Sequence, residues 1–180
     1  MNHFPFRAGA VLAALLVASS AFAQIKPDVP PISSPPSMSD ADSAAFMNLI
    51  APLMDATNQA IATFSSTGDG IGARHRAVLD ALAAANASAA VTNCVTSYQT
   101  AESAAFATKI RQEFARIFDE LKKQRPAVLN AWLKRAQQQQ TGGGDNANAT
   151  QAMLTDINAV FDRMTANVEI LQDKIIASAR

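Results

Sequence analysis

Few side chains in this sequence could carry chemistry, and the first to weigh is His75, flanked by Arg74 and Arg76. It is the one histidine after residue 3. A zinc centre usually draws on several histidines or cysteines, and Cys94 is the only cysteine, so the ligand set for such a site is missing. The Cys-x-x-Cys-His attachment of a c-type haem is missing too. A b-type haem held between His75 and Met47, Met54, Met153 or Met164 fits the geometry of a helical bundle. Methionines at apolar positions are more often core filler, and the arginines on either side place His75 toward water.

Nucleophilic chemistry lacks its parts as well. No serine lies in a Gly-x-Ser-x-Gly setting, and His75 has no evident acid partner. Asp119 and Glu120 are adjacent but point to different parts of a helix surface. The glycine-rich stretch 65–72 lacks the Lys-Ser/Thr pair and the preceding strand of a phosphate loop. Cys94 shares a helical face with Val91, Val95 and Tyr98, so its thiol reads as a small buried hydrophobe. No neighbouring base activates it, and a lone cysteine makes no internal disulfide. The inventory predicts no catalytic, metal or cofactor-binding residues, and a protein that is not an enzyme.

The charge pattern is more suggestive. Residues 81–135 hold eight basic side chains (Lys109, Arg111, Arg116, Lys122, Lys123, Arg125, Lys134 and Arg135) against four acidic ones. A basic amphipathic helix over 106–135, with Phe106, Phe114, Phe118 and Trp132 close by, could lie on an anionic membrane surface or grip an acidic partner. Pairing within the bundle is the plainer use of these charges. Arg116 with Glu120 and Asp119 with Lys123 already stand four residues apart, as neighbours on a solvated helix face do. Beyond residue 23 the chain carries 14 basic and 15 acidic side chains, a balance unlike that of a nucleic-acid binder.

The elements that position these groups begin after an export signal. Arg7, the apolar run 8–18 and the small residues of Ala21-Phe22-Ala23 form a three-part secretory pattern, with cleavage expected after Ala23. The apolar run is shorter than the roughly 20 residues a membrane-spanning helix needs. Residues 24–39 hold five prolines among serines and read as a disordered, solvated linker.

From residue 40 onward, 36 large apolar side chains supply a core, and the abundant alanine favours helix. The clearest periodicity lies at the end. Leu154, Ile157, Phe161, Met164, Val168, Leu171 and Ile175 recur at alternating spacings of three and four, the seam of an amphipathic helix. Thr150 reads as its N-cap. A second stripe, Phe106, Ile110, Phe114, Ile117, Phe118 and Leu121, is its natural partner. Phe46, Ile50, Leu53, Thr57, Ala60 and Phe64 line a first helix begun at Ser39 or Asp40.

Breakers divide these helices. Pro52 should kink or split the first, and 65–72 reads as a helix–helix turn. A second helix covers about 73–85, with Val78, Leu79 and Leu82 inward, and a third about 89–124. Whether those two are continuous stays open. Pro126 should stop the third and start a fourth, and the Gln/Gly-rich stretch 137–149 reads as a flexible loop. The fold expected is all-α, an antiparallel bundle of four to five helices over 40–180. The expected work is protein binding or assembly in a bacterial envelope, as an adaptor or chaperone-like protein, in the periplasm or outside. Its partner would be an envelope protein or a second copy, with membrane-surface association as the alternative and a small-ligand or haem carrier behind that.

Overall fold

The computed structural model describes residues 31–35, 38–139 and 147–180. The expected export signal 1–23, most of the expected linker 24–39 and the centre of the expected loop 137–149 lie outside these residues. Three helices account for nearly all of the rest: α1 (Asp40–Ala84), α2 (Ala89–Gln139) and α3 (Ala147–Ser178). They form an all-α bundle with no strand among the described residues. The expected four to five helices are three, because breakers read as boundaries lie inside longer rods.

Local chemistry explains where the rods begin and end. Ser39 caps α1, its hydroxyl oxygen accepting from the Asp42 amide at 3.2 Å, while Asp40 and Asp42 meet the positive end of the helix dipole. At the other end Asn86 adopts φ 49°, a left-handed conformation that asparagine tolerates. Its amide donates to the Ala83 carbonyl at 3.1 Å and the Ala87 amide to that of Leu82 at 3.0 Å. This is a Schellman termination. Ser88 then accepts from the Val91 amide at 3.4 Å and opens α2. The helices on either side of residues 85–88 are therefore separate and form a hairpin.

The prolines do not divide the rods. Pro52 and Pro126 both lie inside helices, and both are exposed, as are Asn48 and Lys122 one turn earlier. The carbonyls that lose a donor thus face solvent, and water can satisfy them. In α2 one buried seam runs across the proline: Phe106, Ile110, Phe114, Leu121, Val128 and Trp132. Burial of that continuous face outweighs the local cost of Pro126. The connection between α2 and α3 is also shorter than expected, since 137–139 and 147–149 are helical and Thr150 lies inside α3.

The glycines of 65–72 do not make a turn either. Gly68 and Gly72 are buried within α1, where the end of α3 crosses. A Cβ on Gly68 would come within 2.9 Å of the Ile175 carbonyl oxygen, and one on Gly72 would collide with that of Ser178. Gly70, between them, faces open space. Two glycines four residues apart form a notch, and the notch replaces the expected break.

Cross-helix pairs give the register. Phe46 meets Trp132 with ring centroids 6.2 Å apart, and Phe64 meets Phe114 at 6.2 Å, so α1 and α2 are antiparallel. Arg125 reaches Asn158 and Asp162, and Ser103 reaches Ala179, so α2 and α3 are antiparallel too. In α3 Ile157, Phe161, Met164, Val168, Leu171 and Ile175 are buried and Leu154 is half-buried. On the first stripe Phe46 and Ile50 are buried, and Leu53 and Phe64 pack partly covered against the core. Pro35 is fully buried, and Ile32 and Met38 pack against the core, so this end of the proline-rich arm lies on the bundle instead of standing in solvent.

Candidate functional site

The third helix is shorter than the other two, and its end sets the functional geometry. α3 stops beside Gly72 and Ser103, whereas α1 and α2 continue to their turn at 85–88. At about 1.5 Å per residue, the hairpin 73–102 projects roughly 18 Å beyond the three-helix body. Two helices cannot enclose what three can. The buried residues of the core end at His75 and Gln99, and between them only half-buried side chains such as Leu79, Leu82, Thr92 and Val95 line the hairpin seam.

Part of the expected inward face of this segment is turned outward, while Leu79, Leu82 and Val95 of that face stay half-buried. Tyr98 is 68% exposed, Val91 48% and Val78 43%, and Cys94 is exposed as well. Val91, Cys94 and Tyr98 stand at i, i+3 and i+7, one stripe on a helix. Val78 and Cys94 are both corrections: neither is buried. Their spacing implied a partner, and α3 is too short to be that partner.

A polar layer closes the body beneath the hairpin. His75, expected in water, is 6% exposed, and its Nε2 lies 2.8 Å from Glu102 Oε2. A carboxylate only accepts, so Nε2 carries the proton. Arg74 donates to the other oxygen of Glu102 at 2.6 Å. Gln99 donates to the His75 carbonyl at 3.0 Å and Ser103 to that of Ala179 at 2.6 Å, joining all three helices. The hydrogen bond from His75 holds the Glu102 carboxyl below its ordinary value of 4.5; the charge of Arg74 adds to this, and partial burial opposes it.

A lowered folded-state value means that the unfolded chain binds the proton more tightly. The contribution is therefore present above pH 4.5 and lost as pH falls through the lower folded value. Glu102→Gln should remove that acid dependence, seen as a flatter slope of urea midpoint against pH between the two values.

Beyond the Glu102 carboxylate, few groups meet the histidine ring. Among the described residues no hydroxyl is hydrogen-bonded to its ring, and no three His, Cys, Asp or Glu side chains converge to hold a metal ion. The haem pairings are out of reach on straight helices. Met54 and Met47 precede His75 by 21 and 28 residues on the same rod, roughly 30 and 40 Å at the helical rise. Met164 and Met153 lie 14 and 25 residues, about 20 and 40 Å, below the Ser178 turn that adjoins the histidine's end of α1.

The eight basic residues of 106–135 divide rather than gather. Arg116 pairs with Glu113 at 2.8 Å, Lys123 with Glu120 at 3.7 Å, Arg125 with Asp162 at 2.7 Å and Arg135 with Asp42 at 2.7 Å. The two pairs within α2 are three residues apart, not the four read from sequence. Arg135 also lies 5.1 Å over the Trp132 ring. Lys109, Arg111, Lys122 and Lys134 are exposed, and among the described residues no ion pair holds them. Lys109, Arg116 and Lys123 recur every seven residues on one face, while Arg111 and Lys122 stand on another. No described helix is long and apolar enough to cross a membrane.

No protein-family model, curated protein or solved structure matches this chain.

Proposed function

We propose that the chain is an exported, non-enzymatic protein-binding module that works through the hairpin 73–102, with the three-helix body as its rigid base. One observation carries this reading: the stripe Val91, Cys94 and Tyr98 is exposed on a helix whose other large apolar side chains are buried or half-buried. A stripe of this kind suits an apolar face of a partner helix, the helix-in-groove mode of recognition. The amino-terminal secretory pattern supports delivery to a bacterial envelope or beyond, in an adaptor or chaperone-like role. N-terminal sequencing of the exported protein should begin at Gln24.

The membrane-surface reading has less support, because half of the basic side chains of 106–135 pair with carboxylates of the same protein and the others occupy different faces. A photo-crosslinking residue at Tyr98, compared with one at the exposed body position Gln112, tests the binding reading in the producing cell. Discrete adducts at Tyr98 and none at Gln112 are expected. An adduct of twice the chain mass identifies the partner as a second copy. No adduct at Tyr98, together with monomeric light scattering at every concentration, would overturn the proposal.

A further inference from the structure

Where the hairpin leaves the body, α1, α2 and the end of α3 enclose an open groove of about 670 Å³. Each wall brings an arginine to it: Arg76 from α1, Arg111 from α2 and Arg180 just past α3. No Asp or Glu side chain lines it. The distribution of ion pairs makes these three stand out. Among the described residues Arg74, Arg116, Arg125 and Arg135 each hold a carboxylate. Arg76, Arg111, Arg163 and Arg180 hold none, and three of those four line this one groove.

Like charges converging without a counterion raise the energy of the free protein. They favour an anion that replaces the missing counterion. The groove's other donors are largely committed. The hydroxyls of Thr96, Thr100, Ser103 and Thr108 all donate to backbone carbonyls, and Gln99 donates to the carbonyl of His75. The guanidinium groups are what remains, with planar forks suited to phosphate or carboxylate oxygens. An α-carboxylate on Arg180 offsets at most one of the three charges, so two or more remain. A phosphomonoester, at about −1.5 to −2 near pH 7, balances two, and a single carboxylate does not. Between the arginines the lining is apolar: Leu79, Ala104, Ala107 and Ile176. The small side chains of Ala104 and Ala107 leave room there for an aliphatic body.

We propose that this groove binds a phosphate group carried on an apolar body, held by Arg76, Arg111 and Arg180. The site is separate from the exposed Val91–Tyr98 stripe, so either can fail without the other.

The test follows the arginine Nε–H resonances of the purified protein during titration. The probes are inorganic phosphate, phosphatidylcholine vesicles with and without phosphatidic acid, and myristate as the carboxylate counterpart. Saturable movement of the Arg76, Arg111 and Arg180 signals, with Arg163 still, is expected from a phosphate probe. Response to free phosphate points to a soluble ligand, and response only to phosphatidic acid points to a lipid headgroup; both uphold the site. The double variant Arg76→Gln/Arg111→Gln should bind about tenfold or more weakly, while Arg163→Gln should bind as the parent does. All three positions are exposed, so the fold is expected to survive, and circular dichroism checks this. Binding of myristate as tight as phosphate, equal weakening by Arg163→Gln, or no response to any phosphate probe would overturn the proposal.

Discussion

Phe114→Ala should cost about 3–5 kcal/mol, the largest loss expected from one substitution in this chain. Phe114 is fully buried, and its ring meets that of Phe64 at 45° with centroids 6.2 Å apart. It lies at the middle of the buried α2 seam, where α2 meets α1 through the Phe64 ring. Partial collapse would lower the cost, but α2 is held on either side by Ile110 and Leu121, themselves 0% and 3% exposed. Urea unfolding followed by far-ultraviolet circular dichroism measures the loss. Tyr98→Ala, at the most exposed of the large apolar side chains, should stay within about 0.5 kcal/mol of the parent. Equal losses at the two positions would mean that the hairpin stripe is buried.

Gly72→Ala should destabilise the bundle, although alanine is the better helix former. The propensity gain is about 1 kcal/mol. Against it stands a Cβ that collides with the carbonyl oxygen of Ser178, a backbone atom that cannot rotate away. Overpacking of this kind costs about 1–3 kcal/mol, and a backbone obstacle puts the cost toward the upper end. The end of α3 must shift, and with it the hydrogen bond from Ser103 to Ala179. Gly70→Ala, two residues away in the same helix, meets nothing within 4 Å and should stabilise by up to about 1 kcal/mol. Opposite signs at neighbouring glycines, read from urea midpoints, distinguish a packed notch from a turn.

The same glycines show where the sequence could be read and where it misled. Apolar periodicity identified the all-helical class, the α3 seam from Ile157 to Ile175 and the matching stripe on α2, because packing of amphipathic faces supplies most helical stability. Boundaries failed where a local breaker lay inside a longer buried seam. At Pro126 the seven-residue spacing from Leu121 to Val128 outweighs the missing amide. At Gly68 and Gly72 the relevant signal was their spacing of four residues, which suits a close helix crossing, and it lies in residue size rather than hydropathy.

The candidate site was legible only in part. Val91, Cys94 and Tyr98 were recognised as one face, but their exposure depends on where α3 ends, and no local pattern encodes that. Glu102 was missed as the partner of His75 because the two are 27 positions apart in sequence. A turn placed at Asn86 sets the antiparallel register, and that register would have found the pair. Arg76, Arg111 and Arg180 are likewise joined only by the fold.

The most direct test is residue-resolved amide hydrogen exchange on the free protein. Opening free energies follow burial and local contact density. Amides of 103–132 and 157–176 should therefore share the highest protection, close to that of global unfolding, while those of 76–98 exchange markedly faster in a hairpin that two helices alone must hold. Uniform protection across all of these segments would contradict the account, because a third helix or a second chain would then be covering the surface on which binding depends.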